Sequence, residues 1–258
     1  MINRNVVSNE LVSIITPSYN SQAYISQTIE SIQAQTYSHW ELLITDDCST
    51  DQTIDIIKGY QKGDSRIKLY LLHKNQGAGV ARNNSIKEAN GRYIAFCDSD
   101  DLWMPEKLEI QIDFIIKSKS PMIFSSYNII KRSGDYIKTK YARSHLTYSQ
   151  MLSYNYIGCL TVLYDSKKIG KQYFPEIRKR QDYGMWLTII KQTKSAKGIK
   201  QPLADYRLRK GSISQNKFGL LKYNWLVYYK TQKFNMLNST LLMIRFLWFF
   251  MFKRGIYK

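Results

Sequence analysis

Short apolar runs alternate with segments of helical periodicity along the first half of the chain. Residues 11–17 form a β-branched apolar run without regular alternation, which is typical of a strand buried on both faces. The apolar positions that follow recur at helical spacing: Tyr24, Ile25, Thr28, Ile29 and Ile32. Residues 40–45 are again strand-like, so this stretch predicts a βαβ unit.

A second helix is predicted directly after this unit. Ser49 is followed three positions later by Gln52, which matches a capping box, so the helix is expected to begin there. The residues predicted for its inner face are Ile54, Ile57 and Tyr60.

The same alternation continues beyond that helix. Residues 67–72 and 93–97 predict the third and fourth strands, with a helix over 80–89 between them. A helix over 105–117 and a strand over 122–130 follow. Such alternation favours an α/β fold with a doubly wound, mostly parallel sheet, whose ligands bind at the carboxyl ends of the strands.

Length and cysteine usage limit the class of protein. A chain of 258 residues that is 44% hydrophobic can bury one sizeable core with an appended subdomain. Its three cysteines are far apart and lack metal-ligand spacing, which argues against a disulfide framework or a zinc site. The first ten residues are polar and lack the apolar core of a secretory signal, so a cytoplasmic location is expected.

The charge is strongly positive and unevenly distributed. The formal net charge is +18, which predicts an anionic partner, and no acidic residue follows Asp205. Residues 241–252 are apolar except for Arg245, yet they are shorter than the roughly twenty residues that span a bilayer. This segment predicts peripheral contact with an anionic membrane, on the inner face of the cell membrane. A helix docked on the core, or a dimer surface, is the alternative.

An acidic loop follows the fourth predicted strand. Asp98, Asp100 and Asp101 lie within four residues, and three carboxylates in one loop repel one another unless a cation lies among them. Hard oxygen ligands suit Mg²⁺ or Mn²⁺, so we predict a divalent metal held by Asp98 and Asp100. A solvated acidic turn that caps the helix after Pro105 is the alternative.

Six fragments in this order resemble the family 2 glycosyltransferases, which have the GT-A fold. The fragments lie at 15–20, 31–37, 45–51, 75–77, 81–83 and 96–101. The resemblance covers about residues 10–215, and six fragments in register are far more specific than any one of them. It implies a GT-A sheet with a small mixed acceptor subdomain, followed here by a basic amphipathic tail.

The resemblance also implies roles for residues at the strand ends. Asp98 and Asp100 match the Asp-x-Asp motif that engages ribose and metal. The predicted nucleotide-sugar site consists of Pro17, Tyr19, Asp47, Arg82, Asp98, Ser99 and Arg209. The physical chemistry agrees, because Tyr19 offers a face for base stacking and Asp47 an acceptor for nucleoside donors. The alternatives are a rim aromatic for Tyr19, a helix cap for Asp47 and an exposed helix arginine for Arg82.

Two later segments complete the predicted machinery. In related enzymes an aspartate, usually preceded by glutamate, removes the proton from the acceptor hydroxyl, and Asp182 occupies that place here. Gln181 replaces the glutamate, so a role for a preceding carboxylate is in doubt. An N-cap or a surface ion pair is the alternative for Asp182. Residues 206–214 resemble a segment that closes over the diphosphate, where Arg209 would stabilise the leaving group; a solvated basic face is the alternative.

The resemblance therefore implies an inverting glycosyltransferase that uses a nucleotide-sugar, with UDP favoured, and a saccharide or lipid-linked acceptor of surface polysaccharide biosynthesis. We expect an N-terminal extension over 1–10, a catalytic domain over 11–215 and a helical tail over 216–258. Within the domain, the donor half spans about 11–130 and the acceptor half about 131–215. The alternatives are a sugar-phosphate nucleotidyltransferase and a non-catalytic nucleic-acid-binding protein. No nucleic-acid partner is expected.

Overall fold

The structure is a computed structural model, and it describes residues 9–208 and 217–252. Within these ranges the strands form one ten-stranded sheet. The strands are β1 (Val12–Ser18), β2 (Trp40–Asp46), β3 (Ile67–Leu71), β4 (Tyr93–Phe96), β5 (Leu102–Trp103), β6 (Met122–Ile130), β7 (Tyr136–Lys140), β8 (His145–Thr147), β9 (Leu163–Asp165) and β10 (Ser195–Arg207). All strands predicted from apolar runs are present.

The helices surround this sheet and extend beyond it at the carboxyl-terminal end of the described chain. They are α1 (Ile25–Gln33), α2 (Thr53–Gly63), α3 (Ala78–Glu88), α4 (Lys107–Ser118), α5 (Tyr148–Ser153), α6 (Ser166–Ile169), α7 (Gln181–Thr193), α8 (Lys217–Leu226) and α9 (Met236–Phe252). A 3₁₀ turn spans Cys159–Thr161, and a π-helical turn, Val227–Thr231, follows α8.

The strand order is β3-β2-β1-β4-β9-β6-β10-β5, with β7 paired to β6 and β8 paired to β10. The first four strands are parallel, as predicted. The remainder is mixed rather than mostly parallel, because β9 runs antiparallel to both β4 and β6, and β7 returns beside β6. β10 runs parallel to β6, so the chain beyond β6 contributes both parallel and antiparallel pairs.

Helices cover both faces of the sheet, as a doubly wound fold requires. Alternate residues of β1 point to opposite faces, so Ile14 and Ile15 belong to different apolar clusters. Ile14 lies in the cluster that contains the inner faces of α1, α2 and α4. Ile15 lies in the cluster that contains Ile86 of α3 and the apolar side of α7. The α/β class is therefore confirmed, with the core on both sides of the sheet.

The capping box predicted at the start of α2 is wrong. The Ser49 hydroxyl donates to the carboxylate of Asp46 at 2.6 Å, and its backbone N–H donates to the same carboxylate at 2.7 Å. Asp46 is buried at the end of β2, so it takes the serine that would otherwise cap the helix. The helix begins instead at Thr53, whose N–H donates to Asp51 at 3.0 Å.

The described part of the tail, residues 217–252, is mainly helical, and α9 docks on the domain through one side. Phe246 is buried, and its ring stacks on Tyr154 with centroids 6.3 Å apart. The ring of Phe249 lies 5.8 Å from the same tyrosine. This side of α9 therefore matches the alternative of a helix docked on the core. Of the helices within the described ranges, none combines the length and the apolar character that crossing a bilayer requires.

Candidate functional site

The loops after β1 and β2 are joined by hydrogen bonds at the carboxyl edge of the sheet. Parallel pairing sets Ser18 beside Asp46, so both loops leave the sheet together. The N–H of Asn20 donates to the Ser49 hydroxyl, and the N–H of Thr50 donates to the Asn20 side chain, both at 2.9 Å. The N–H of Ser21 donates to the hydroxyl of Thr53 at 2.7 Å. The predicted nucleoside pocket therefore has a rim formed by both loops.

Pro17 and Tyr19 lie on the first of these loops but in different surroundings. Pro17 is the buried penultimate residue of β1 and pairs with Thr45 of β2. Tyr19 is 47% exposed, which leaves its ring accessible for stacking. Its position suits both the predicted base contact and the simpler role of a rim aromatic.

Asp47 is buried and holds the loop that precedes α3. Its two carboxylate oxygens accept the N–H groups of Gln76 and Gly77, each at 2.7 Å. Gly77 has a φ of +92°, a conformation that favours glycine, and it forms the N-cap of α3. Asp47 thus accepts hydrogen bonds from backbone N–H groups at the start of α3, and it does not cap α2. Because each carboxylate oxygen has two lone pairs, both retain acceptor capacity.

The acidic loop after β4 contains three carboxylates with different environments. Asp101 is buried and accepts the backbone N–H of Arg207 at 3.1 Å, so it fastens the loop to the end of β10. Ser99 is buried as well, and its hydroxyl lies 2.7 Å from that of Ser21 in the β1 loop. Asp98 and Asp100 are partly exposed. The alternative of a solvated acidic turn is therefore wrong for Asp101, which is buried.

The side chain of Arg207 binds the acidic loop. It is buried at the end of β10, and its Nε donates to the carbonyl of Asp100 at 3.0 Å. Its other nitrogens donate to the Gln27 side chain at 2.8 Å and to the Arg132 carbonyl at 3.0 Å. Arg207 could not be singled out from the sequence, because a basic residue in a basic segment gives no sign of burial.

Arg82 is buried in α3, so the exposed-arginine alternative is wrong. Its Nη2 donates to the carboxylate of Asp98 at 2.6 Å, and its guanidinium lies over the ring of Phe174 at 5.1 Å. Burial disfavours the charge, but the surrounding anionic groups, first among them the carboxylate of Asp98, together raise the pKa of Arg82 above its ordinary value. The charge of Asp182 acts in the same direction. Within the described residues, its Nε has no hydrogen-bond partner.

Asp182 lies in the first turn of α7, behind the N-cap residue Arg180, so it is not itself the N-cap. Its carboxylate accepts the side-chain amide of Asn155 at 3.1 Å. The preceding Gln181 lies directly against Gly79 at the start of α3, where a Cβ would collide with its amide. The start of α7 is thus packed against the start of α3, the helix that carries Arg82.

The thiol of Cys159 is influenced by all three of these side chains. Burial raises its pKa well above the ordinary value, the guanidinium of Arg82 opposes that effect, and the carboxylates of Asp98 and Asp182 add to it. Together with the 2.6 Å ion pair of Arg82 with Asp98 and the contact of Gln181 with Gly79, these influences place Arg82 near both carboxylates. The structure therefore brings the acidic loop, Arg82 and Asp182 to one place, although they come from three distant segments.

The donor set of the acidic loop fits the divalent ion predicted there. Among the residues that the structure describes, no group of three or more His, Cys, Asp or Glu side chains could by itself hold a metal ion. Mg²⁺ is commonly bound by one or two carboxylates together with substrate phosphates and water. Asp98 and Asp100 supply that number, with one oxygen of Asp98 also engaged by Arg82. Arg209 lies outside the described residues.

Two curated bacterial proteins are closely similar to this chain. One is named "Putative teichuronic acid biosynthesis glycosyltransferase TuaG" of Bacillus subtilis, 43% identical over 89% of this chain and 92% of its own length. The other is the Escherichia coli UDP-Glc:alpha-D-GlcNAc-diphosphoundecaprenol beta-1,3-glucosyltransferase WfgD. It is 43% identical over 83% of this chain and 84% of its own length.

Solved structures share the fold at lower identity. Staphylococcus aureus TarS in complex with UDP superimposes with a TM-score of 0.70 at 22% identity, covering 95% of this chain and 73% of that one. The mannosyltransferase PcManGT of Pyrobaculum calidifontis, in complex with GDP-Man and Mn²⁺, gives 0.63 at 14% identity, covering 92% and 70%. The family model described as "Glycosyl transferase family 2" matches residues 13–170. With two relatives at 43% identity over most of their length and this match, the chain belongs to glycosyl transferase family 2 and is a glycosyltransferase with the GT-A fold.

Proposed function

We propose that this enzyme moves a sugar from a UDP-sugar to a hydroxyl of a lipid-linked saccharide, with inversion, during assembly of a cell-surface polysaccharide at the inner face of the membrane. The name of WfgD supports a UDP-sugar donor and a diphosphoundecaprenol acceptor, and the name of TuaG supports a surface polymer. Membership in a glycosyltransferase family excludes the two alternatives, a sugar-phosphate nucleotidyltransferase and a non-catalytic nucleic-acid-binding protein.

One observation carries the proposal. The buried guanidinium of Arg82 is paired with Asp98 of the acidic loop and is influenced by the charge of Asp182 at the start of α7. A donor diphosphate near the acidic loop and an acceptor hydroxyl near Asp182 would thus meet beside one fixed cation. Such convergence of a charged loop, a buried cation and a candidate base supports group transfer.

The donor would lie along the carboxyl edge of β1, β2 and β4. Tyr19 and Asp47 would receive the nucleoside, with Pro17 forming the floor, and Ser99 would lie beside the ribose. Arg82 and Arg209 would interact with the diphosphate. The hydrogen bonds between the loops fix this edge before any ligand binds, which lowers the entropy lost on binding.

Asp98 and Asp100 would hold the divalent ion, Mn²⁺ or Mg²⁺. When bound, such an ion draws negative charge onto the departing diphosphate. The relationship to the Mn²⁺-bound PcManGT supports a divalent cofactor in this fold. The carboxylates themselves place negative charge opposite Arg82, which keeps the loop electrostatically balanced.

Asp182 would act as the general base. The acceptor oxygen attacks the anomeric carbon, its proton passes to the carboxylate of Asp182, and the bond from that carbon to the diphosphate oxygen breaks with its electron pair. A single displacement of this kind inverts the configuration. The amide of Asn155 holds the carboxylate by one hydrogen bond, which fixes its direction.

Donor binding is tested by calorimetric titration of the enzyme with UDP, with and without Mn²⁺. We expect binding that depends on the metal and that Asp100→Ala weakens by at least about tenfold, because one of two carboxylate ligands is lost. Asp113→Ala is the matched control, since Asp113 is an exposed carboxylate paired with Lys117 on α4. Equal affinities for the wild-type enzyme and both variants would contradict the metal assignment, and absence of UDP binding would contradict the donor assignment.

The base is tested separately with Asp182→Asn. We expect this variant to bind UDP normally and to transfer sugar roughly 10²–10⁴-fold more slowly, because general-base assistance is removed. Transfer from UDP-sugars to a diphosphoundecaprenol-linked sugar is followed by chromatography, and NMR of the product gives the anomeric configuration. A variant with normal turnover, or a product with retained configuration, would overturn the mechanism.

A further inference from the structure

The outward side of α9 carries an apolar stripe. The members of the stripe and their exposed fractions are Leu237 69%, Leu241 54%, Ile244 58%, Trp248 51% and Met251 66%. Their spacing of four, three, four and three residues places them on one side of an α-helix. Large apolar side chains in a continuous exposed row mark an interaction surface, whereas scattered ones are ordinary.

The orientation of this stripe is fixed by the opposite side of the helix. Phe246 is buried and stacks on Tyr154, and Arg245 donates to the carbonyl of Ser149 in α5 at 3.0 Å. Docking therefore uses the inner side of α9. Each residue of the row is nevertheless more than half exposed, so docking alone does not account for the apolar character of the row.

A groove beside the stripe adds positive charge at its edge. It is lined by Arg143 and Arg245 together with Tyr156, Trp248 and Phe249. The guanidinium of Arg143 lies over the ring of Tyr156 at 4.1 Å. Two cations beside aromatic side chains, next to an apolar row, match the chemistry of the phosphate layer of a bilayer, where aromatic rings and cations lie above the acyl chains.

The charge of the carboxyl-terminal segment indicates which kind of partner binds this surface. Residues 217–258 contain no acidic residue, and their basic residues are Lys217, Lys222, Lys230, Lys233, Arg245, Lys253, Arg254 and Lys258. A second copy of the chain would bring two such tails together, and like charges at an interface are unfavourable. An anionic lipid surface is complementary, because it attracts each basic residue that lies near it.

We propose that α9 lies flat on an anionic phospholipid bilayer, with the stripe facing the acyl chains and the groove of Arg143 and Arg245 facing the lipid phosphates. At 17 residues the helix is about 25 Å long, which suits an interfacial position. The inference deepens the proposed function, since it rests on a lipid-linked acceptor to explain why the enzyme is held at the membrane.

The test is flotation of the full-length enzyme with vesicles of phosphatidylcholine that contain about 30% phosphatidylglycerol, compared with phosphatidylcholine alone. We expect salt-sensitive binding to the anionic vesicles. The variant Leu241→Ser/Ile244→Ser should lose at least about tenfold in partitioning, because two large apolar side chains no longer leave water. Tyr136→Ser/Ile137→Ser is the matched control, since these residues are 62% and 40% exposed on β7.

UDP titration of the same proteins separates this inference from the proposed function. Vesicle binding without UDP binding would support the proposed membrane contact of α9 and contradict the donor assignment. Equal partitioning of the wild-type enzyme and the α9 variant would overturn the inference. A concentration-dependent dimer in sedimentation experiments that the α9 variant abolishes, without vesicle binding, would instead assign the stripe to a second copy of the chain.

Discussion

At the scale of single residues, two buried arginines determine the shape of the acidic loop. Arg82 pairs with the side chain of Asp98, whereas Arg207 binds the backbone of Asp100 and reaches the side chain of Gln27. A buried charge is tolerated only when it is paired and hydrogen-bonded, so each arginine imposes one geometry on its partners. Neither arginine can be identified as buried from the residues around it, because burial depends on the sheet above them.

Arg207→Lys is expected to lower the free energy of unfolding by roughly 2–4 kcal/mol. Lysine keeps the charge, but its single ammonium group cannot reach all three acceptors that the guanidinium reaches, so buried acceptors lose their donors. Urea unfolding measures the change. Arg178→Lys is the control, because the side chain of Arg178 is exposed to solvent. Equal stability of the two variants would contradict the role of Arg207.

Asn155→Ala is expected to lower kcat by about tenfold while KM for the donor stays unchanged. The amide of Asn155 donates to Asp182 at 3.1 Å, so it positions the proposed base without touching the donor site. Steady-state kinetics with saturating acceptor separates kcat from KM. A parallel loss in donor affinity would mean that the residue supports the fold and not the base.

Lys107 is expected to make stability depend on pH. It is fully buried against the ring of Trp103, and burial lowers the pKa of its ammonium group to about 7. In the unfolded chain the pKa is about 10.4, so between these values the unfolded state binds a proton that the folded state does not. The stability of the wild-type protein should therefore fall as pH decreases from 10 towards 7, and level off below 7.

Lys107→Met removes this group, so the variant tests the effect directly. Between pH 9 and pH 7 the free energy of unfolding should fall by roughly 2 kcal/mol more in the wild-type protein than in the variant. Urea unfolding at both pH values gives the difference. Parallel profiles would show that the lysine keeps its proton in the folded protein. The buried amide of Gln111, which accepts from Lys107, changes the absolute stability but not this slope.

At the scale of secondary structure, apolar periodicity predicted the elements that bury a continuous row of side chains. These are β1 to β4, β6 and α1 to α4, each long enough to show its period. Most of the strands that it did not predict are short or irregular. β5, β8 and β9 contain two or three residues, and β10 contains a proline at position 202 flanked by two register shifts. Their conformation comes from pairing with strands already in place.

The residues of the candidate site likewise fall into those whose position could be predicted from the sequence and those whose position could not. Residues at strand ends, such as Asp47 and Asp98, could be predicted because the carboxyl edge of a parallel sheet gathers its loops. Asn155 and Arg207 could not, since each comes from the later part of the chain, where the sequence signals weaken. Ser49 was misinterpreted as a helix cap because the sequence does not reveal that the buried Asp46 competes for it.

Gly91→Ala is expected to destabilise the protein by roughly 2–4 kcal/mol. A Cβ there would lie 2.5 Å from the backbone nitrogen of Ser13 and 2.7 Å from the carbonyl oxygen of Leu11, and backbone atoms within a sheet cannot give way cheaply. Gly59→Ala is the matched control. Gly59 lies in α2 with no described atom within 4 Å of the added Cβ, so that variant should gain about 0.5–1 kcal/mol. Equal thermal stability of the two variants would contradict the close approach at Gly91.

At the scale of the whole molecule, strands from the two halves of the catalytic domain alternate within one sheet. β9 comes from the predicted acceptor half, yet it lies between β4 and β6 of the donor half. We therefore expect calorimetry to show a single cooperative unfolding transition for residues 9–208, which UDP shifts as a unit if it binds. Two separable transitions, of which UDP shifts only the first, would indicate that the halves unfold independently.

The position of β9 also has a consequence for synthesis on the ribosome. When β6 has emerged, the strand that must lie between it and β4 has not yet been translated, so the facing edges of β4 and β6 are open in the nascent chain. These edges stay exposed until residues 163–165 have left the exit tunnel, and only then does the sheet close across its middle. We therefore expect these two edges to need chaperone protection after the proposed nucleotide-binding loops have been made and before the proposed catalytic base has appeared.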